Sequence, residues 1–291
     1  MQHFLKIDDF NSAEFWSILE SAISMKRDDS FGTGGLHLEG KTLGMIFEKP
    51  SNRTRVSFEV GMFQLGGHAV YIQKQDIGMG SREPIADVAR VLSRYVDGVV
   101  IRAMSHDTIA EFAAVSLVPV INGLSDLYHP CQAVADVLTI VEHKENLQGR
   151  KMVYVGDGNN VCVSLAQLCH LLGMEVVVAC PRGYEPPVTG ITIESDVRKA
   201  VANADVIYTD VWVSMGQEAE TEKRLADFKG FMVDMDLVKL AKPDAIVMHC
   251  LPAQRGFEIT HEVFESPQSV VFDQAENRLH AQKAILVKLL G

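Results

Sequence analysis

Unbroken apolar runs of strand length recur along this chain: Lys41 to Phe47 (KTLGMIF), Val96 to Ile101 (VDGVVI), Lys151 to Val155, Met174 to Ala179, Val206 to Thr209 and Asp244 to Met248. They lack a polar face, which is the pattern of strands covered on both sides. Two weaker runs, His68 to Ile72 and Leu117 to Ile121, also read as strands. Between them the apolar positions take helical spacing. Asn11 or Ser12 caps a helix running to about Lys26, and a Gly-rich link (FGTGG) follows. Further helices are predicted after Ser51-Asn52-Arg53-Thr54-Arg55 up to the Gly66-Gly67 stop, over Ile85 to Tyr95, over His106 to Val115, from Pro130 to about Glu142, and from Gly156-Asp157-Gly158-Asn159-Asn160 to near Gly173. The last ones lie near Glu194 to Ala202, over Gln217 to Arg224 and over Leu279 to Leu290. Gln75 to Glu83 (QDIGMGSRE) reads as a loop too rich in glycine to be core. Strand and helix alternate throughout, which predicts an α/β fold built on parallel sheet, with Gln148-Gly149 opening a second unit.

At 291 residues the chain is long enough for two domains with separate cores. A net charge of −11 argues against nucleic acid as a partner and makes any local cluster of arginines informative. No apolar run reaches the roughly 18 residues of a membrane span, and MQHFLKIDDF is not a signal peptide. The five cysteines (Cys131, Cys162, Cys169, Cys180, Cys250) are odd in number and lack CxxC spacing, so a reducing cytoplasm fits better than a disulfide scaffold or a zinc site.

In open α/β sheets ligands bind beyond the carboxyl ends of strands, and the polar residues of interest gather there. After the first strand, Pro50 ends the extended run, Ser51 suits an N-cap, and Arg53 and Arg55 fall in the first helical turn. Cations oppose the positive end of the helix dipole, so their placement makes sense if an anion such as phosphate sits over the turn. A solvated basic turn is the plain alternative. Arg102 ends another strand. His129-Pro130-Cys131-Gln132 opens a helix with Pro at the first helical position, which puts His129 at the N-cap. Gly156-x-Gly158 after a strand suggests a dinucleotide site. However, Val161 replaces the third glycine and the next strand ends on Cys180-Pro181 with no acid for a ribose, so a nicotinamide enzyme is the weaker reading. The asparagines instead offer neutral hydrogen-bonding groups suited to a small zwitterion. Asp210 could be turn chemistry, Cys250 and His249 core residues, and Arg278 a surface charge.

Together, SxRTR at 51–55, Arg102 followed by His106, HPxQ at 129–132, DxxxSMG at 210–216, HCLP at 249–252 and Arg278 resemble the aspartate/ornithine carbamoyltransferase family, in order and spacing, from about Phe4 to the C-terminus. DxxxSMG and HCLP resemble its ornithine branch. The resemblance implies two domains, each a parallel β-sheet flanked by helices, with the C-terminal helix packing back on the first. A carbamoyl phosphate-binding domain would comprise 1–138 and 276–291, and an ornithine-binding domain 139–275. It implies transfer of the carbamoyl group of carbamoyl phosphate to the δ-amine of ornithine, in cytoplasmic arginine biosynthesis, without metal or cofactor. The partners implied are the two small-molecule substrates and other copies of the chain, as a homotrimer with sites near subunit boundaries, in some relatives assembled further. Residue by residue, Ser51, Asn52, Arg53, Thr54, Arg102, His129, Gln132, Cys250, Leu251 and Arg278 would bind carbamoyl phosphate, and Asn160, Asp210, Ser214 and Met215 would bind ornithine. Thr54, Arg102, His129, Asp210 and Cys250 would be catalytic; a dead paralogue acting as a sensor would have lost one of them. One departure stands out. Where many relatives carry a polar side chain that reaches the neighbouring subunit's phosphate site, this chain has Gly78, followed by Ser81 and Arg82.

Overall fold

The computed structural model describes residues 2–30, 35–214 and 218–291. The chain forms two compact units, Met1–Leu138 with Glu276–Gly291, and Thr139–Ala275.

The first unit runs α1 (Ser12–Ser30), β1 (Thr42–Phe47), α2 (Arg53–Gln64), β2 (His68–Gln73), α3 (Lys74–Ile77), α4 (Ile85–Leu92), β3 (Gly98–Arg102), α5 (His106–Val115), β4 (Val120–Leu124) and α6 (Pro130–Lys144), which continues into the second unit. Its sheet is parallel throughout, in the order β2-β1-β3-β4. Leu43, Met45 and Ile46 of β1 and all of β3 are buried, as strands covered on both faces must be. Ile46, Val99 and Ile101 pack with Val88 and Ala89 of α4 and Ile109, Phe112 and Ala113 of α5. Each large apolar side chain so buried is worth about 1.5–3 kcal/mol. From β1 the chain goes first to one side of the sheet and then to the other. The crevice beyond the carboxyl ends of β1 and β3 is therefore the unit's topological switch point. Phe47 pairs with Arg102 in register, so the SxRTR turn and Arg102 emerge at the same level.

The second unit contains β5 (Lys151–Val155), α7 (Asn160–Leu171), β6 (Glu175–Ala179), β7 (Thr192–Glu194), α8 (Val197–Val201), β8 (Val206–Thr209), α9 (Thr221–Asp227), α10 (Met235–Val238), β9 (Ile246–His249), α11 (His261–Phe264) and the start of α12 (Val271–Leu290). Its parallel sheet has the order β7-β6-β5-β8-β9, which reverses between β5 and β8. Val153, Val155, Ile207 and Val247 meet Val201, Leu237, Val263 and Phe264 in its core. At the amino end of β8, buried Asp205 ties neighbouring strands together, accepting from Lys151 N (2.9 Å), Arg150 Nη1 (2.9 Å) and Lys242 Nζ (2.7 Å). The part of α12 from Glu276 onward belongs to the first unit, where Leu290 lies against Gly98 and Lys283 against Gly61. A Cβ at Gly98 would stand 3.0 Å from Leu290 Cδ1, so a larger residue there would push the Leu290 side chain aside.

The structure departs from the sequence reading at several elements. β4 starts at Val120 and takes in Asn122 and Gly123, because Pro119 has no N–H to give the ladder and Leu117 is exposed. α12 begins eight positions before the expected Leu279. Its polar residues Gln274, Asn277 and Arg278 are turned inward and mask the helical pattern. The short α10, α11 and β7 were not expected, and α8 is shorter than the predicted helix. The 75–83 stretch is no mere surface loop: it holds most of α3, and Met79 is 1% exposed within the core. Gly78 is left-handed (φ 64°), and a Cβ there would meet Arg82 Cβ at 2.7 Å. Ser81 Oγ donates back to Gly78 O and Arg82 Nη2 to Ile77 O, so both side chains brace their own loop. Among the described residues no helix is long and apolar enough to cross a membrane.

Candidate active site

At the switch point of the first unit, Thr54, Arg102, His129, Gln132 and Arg278 are all buried, each less than a tenth exposed. Arg102 reaches from the end of β3, and its Nη1 donates to Ser51 Oγ at 3.3 Å. Arg278, from the second turn of α12, donates through Nη2 to Thr54 Oγ1 (3.1 Å) and through Nη1 to Gln132 Oε1 (2.5 Å). The N-cap of α2 is Asn52, whose side chain makes no cap bond, and not Ser51. Ser51 is thereby left to face Arg102. Arg53 and Arg55 part company. Arg55 stacks over Tyr71 at 3.9 Å and pairs with Glu59, while Arg53 lies close enough to Arg102 and His129 to disfavour their protonation. His129 precedes Pro130, the first residue of α6, and its carbonyl accepts from the N–H groups of Gln132 and Ala133.

Burial, with Arg278 and Arg53 beside it, lowers the Arg102 pKa to about 10. The guanidinium is charged at neutral pH, but the folded protein disfavours that charge, and its buried Nε has no partner among the described residues. No carboxylate pairs with Arg102 among the described residues. An arriving anion would supply what is missing. Inorganic phosphate is therefore expected to raise Tm, by an amount equivalent to about 2.7 kcal/mol at a hundred times its Kd. Arg102→Met should melt no lower than the parent in phosphate-free buffer and lose most of that shift, as scanning calorimetry can check.

His129 is held well below the usual imidazole range by burial and by Arg278, Arg102 and Arg53. A lowered pKa means the unfolded chain takes up a proton below about pH 6.5 that the native ring refuses. Stability from this source is present above that pH and falls as the pH drops below it. The ring should be neutral at pH 6, able to donate a hydrogen bond without adding charge. Nitrogen-detected NMR on labelled histidine checks this, and an imidazolium signal for His129 at pH 6 would contradict it.

In the second unit, Asp210 stands just past β8 and is 6% exposed. Cys250 Sγ donates to its Oδ1 at 3.1 Å and Asn159 Nδ2 to its Oδ2 at 2.9 Å. No Lys or Arg of its own unit pairs with it among the described residues. Cys250 is placed by the turn after β9. Leu251 takes φ 61° and its N–H donates to His249 Nδ1 at 2.9 Å, while His249 Nε2 lies 3.0 Å from Glu258 Oε1. Asp210, His249 and Cys250 offer atoms within 4.8 Å of one another, as a metal site would. Both imidazole nitrogens are already engaged, however, so His249 is a strut that fixes the turn. Asn160 opens α7 with its Oδ1 accepting from Val161 N at 2.9 Å, and Ser214 lies half-buried four residues beyond Asp210. Met215 lies outside the described residues.

Several contributors escaped the sequence reading. Asp136, fully buried, accepts from Gln132 Nε2 at 2.8 Å and so turns the amide oxygen toward Arg278. Its i+4 spacing from Gln132 on one helix was the available signal. Glu48 accepts from Met104 N (2.7 Å) and pairs with Lys74 (2.9 Å), tying the turn after β1 to the chain beyond β3. Arg224 Nη1 donates to Asp157 Oδ2 (2.8 Å) and Trp212 O (3.1 Å), which anchors the segment after β8. The contacts of Glu48 and of Arg224 with Asp157 join residues distant in sequence.

Residues 2–142 match the family model described as aspartate/ornithine carbamoyltransferase, carbamoyl-P binding domain, and residues 148–289 the Asp/Orn binding domain of the same family. An anabolic ornithine carbamoyltransferase from Pyrococcus furiosus is 55% identical, over 99% of this chain and 96% of that protein. The ornithine carbamoyltransferase of Methanosarcina mazei is 52% identical over 98% of each. A solved structure of the Pyrococcus furiosus ornithine carbamoyltransferase superposes with a TM-score of 0.96 at 54% identity, covering 100% of this chain and 97% of that one. A cationic cradle at one switch point, a buried carboxylate at the other, and these full-length likenesses agree: the chain belongs to the aspartate/ornithine carbamoyltransferase family.

Proposed function

We propose that this chain transfers the carbamoyl group of carbamoyl phosphate to the δ-amine of L-ornithine, giving L-citrulline and phosphate. The observation that carries the choice of acceptor is Asp210, a buried carboxylate whose hydrogen-bond partners within its unit, among the described residues, are an amide and a thiol. Such a group is suited to a cationic side chain and repels an acidic one.

The phosphate is held by the first unit: Ser51, Asn52, Arg53 and Thr54 at the start of α2, with Arg102 and Arg278. Guanidinium groups and the helix start supply charge and directed donors. As the amine nitrogen attacks the carbonyl carbon, the carbonyl oxygen gains negative charge, which Thr54, Arg102 and neutral His129 are placed to meet. Gln132 holds the carbamoyl amide, its orientation set by Asp136 and Arg278. The C–O bond to phosphorus-bound oxygen then breaks and phosphate leaves with the electron pair. Free alkylammonium titrates near 10.4, so the reactive neutral amine costs roughly 4–5 kcal/mol at pH 7. Asp210 and Cys250 orient that nitrogen and assist loss of its proton, with Leu251 carrying the turn that places them. Asn160, Ser214 and Met215 hold the α-amino and α-carboxylate groups.

We further read the assembly as a homotrimer of a cytoplasmic, biosynthetic enzyme. On α2, Val56, Val60 and Phe63 fall on one face and are 48%, 38% and 81% exposed, an apolar stripe suited to subunit contact. Phe63→Glu should yield a smaller species by sedimentation velocity; an unchanged mass would remove this face from the interface.

The reading is tested by incubating purified protein with both substrates. Citrulline and phosphate should appear in equal amounts and require ornithine. Phosphate release without citrulline would refute it.

A further inference from the structure

Asn159 was notable in the sequence only as one of a pair of asparagines at a helix mouth, and the structure separates the two. Asn160 opens the helix, whereas Asn159 is the N-cap of α7. Its Oδ1 accepts from Val161 N and Cys162 N, both at 3.0 Å, and from Tyr154 Oη at 3.3 Å. Three donors on that oxygen decide which way the amide faces. The nitrogen cannot take the oxygen's place, since it would then point its hydrogens at backbone N–H groups. Nδ2 is thus locked toward Asp210 Oδ2, 2.9 Å away. Tyr154 is itself fixed, fully buried and stacked on Tyr208 at 5.3 Å.

We infer that Asn159 is a positioning residue for the acceptor amine: it uses the start of α7 as a rigid frame to hold the Asp210 carboxylate in one rotamer. Together with Cys250, which donates to the other oxygen, it presents the face of the carboxylate that the ornithine side chain meets. This rests on the reading of Asp210 given above. The helix cap and the site are therefore one device. A cap alone needs only an acceptor oxygen, which Asp, Ser or Thr provides equally well; the task of holding Asp210 needs, in addition, an uncharged donor on the same side chain.

That difference supplies the test. Asn159→Asp keeps the acceptor and suits the positive end of the helix, so the cap survives. It also sets a second carboxylate against Asp210, and two carboxylates at such a distance share a proton. Among the described residues, the other ionisable groups near Asp210 are Tyr154 on β5, Asp157 on the turn after it (paired with Arg224), Cys162 on α7, His249 at the end of β9 (bonded to Glu258) and Cys250 past it. All are unchanged in the variant. The expected result is a melting temperature no lower than the parent's and kcat/KM for ornithine reduced about 100-fold at pH 7. The Kd for phosphate should be unchanged. The deficit should shrink as the pH is raised from 6 to 9 and the shared proton is lost. Asn159→Ser, which caps but whose side chain stops one atom short of the amide nitrogen that reaches Asp210, should show a smaller deficit that does not change with pH. An Asn159→Asp or Asn159→Ser protein with parental kcat/KM for ornithine, or one whose loss falls on phosphate binding instead, would overturn the positioning role. Absence of citrulline formation by the parent protein would instead refute the reading on which the inference rests.

Discussion

Arg102→Ala is expected to fold and to lose about 10³–10⁴-fold in kcat/KM for carbamoyl phosphate. Two losses combine. The buried side chain would supply a charge-assisted donor to phosphate, and the same guanidinium would meet charge developing on the carbonyl oxygen. One such donor to a developing oxyanion is worth about 10²–10³-fold, and the phosphate contact adds about another tenfold or more. The fold should survive because Arg102 contributes little to it. Burial and the neighbouring Arg278 and Arg53 make its charge a burden on the unliganded protein. Arg102→Lys should recover little, since an ammonium cannot reproduce the planar fork. Circular dichroism establishes folding, and steady-state kinetics at varied carbamoyl phosphate measures the loss. A folded Arg102→Ala enzyme within tenfold of the parent would remove Arg102 from the site.

Asp210→Asn should cost a comparable factor, about 10³-fold, and on the other substrate. The change is nearly isosteric and leaves an acceptor oxygen for one of the two donors. It removes the negative charge that favours an alkylammonium, and it sets an amide N–H₂ group against Asn159 Nδ2 or the Cys250 thiol. A buried donor facing a donor costs about 1–3 kcal/mol, and the lost charged contact costs more. The decline should appear in kcat/KM for ornithine, with the phosphate-induced rise in Tm intact. If both substrates suffered equally, the division of labour between the two switch points would be wrong.

Much of the fold was legible because its strands are buried on both faces. β1, β5 and β8 read as apolar runs without alternation, and short runs separated by helical periodicity allow few topologies besides parallel sheets. What failed was physically of one kind. Where polar residues turn inward, as Gln274, Asn277 and Arg278 do on α12, periodicity is hidden. Where a loop carries a core residue, as Met79 does between Gly78 and Gly80, composition misleads. The positions singled out for chemistry in the sequence lie, in the structure, at the carboxyl ends of β1, β3, β5, β8 and β9 and at the starts of α2, α6 and α7. Arg278 and Met215 stand apart from that pattern, the first inside a helix and the second outside the described residues. The residues that orient the others (Glu48, Asp136, Asn159, Asp157 with Arg224) were not legible in these roles. All but Asp136 act through contacts between residues well apart in sequence or across a helix mouth, and a lone Asp or Asn has too many ordinary uses to point to any one.

In the proposed reaction a carbamoyl group held in the first unit's arginine cradle is passed to a cationic acceptor selected by Asp210. A single competition measures it directly. Purified protein is given ¹³C-carbamoyl phosphate with equal concentrations of ornithine, lysine, aspartate and N-acetylornithine, and the labelled products are followed by NMR. The label should pass into citrulline alone until ornithine is nearly consumed. Label appearing in N-carbamoylaspartate or in the acetylated product at a comparable rate would contradict it.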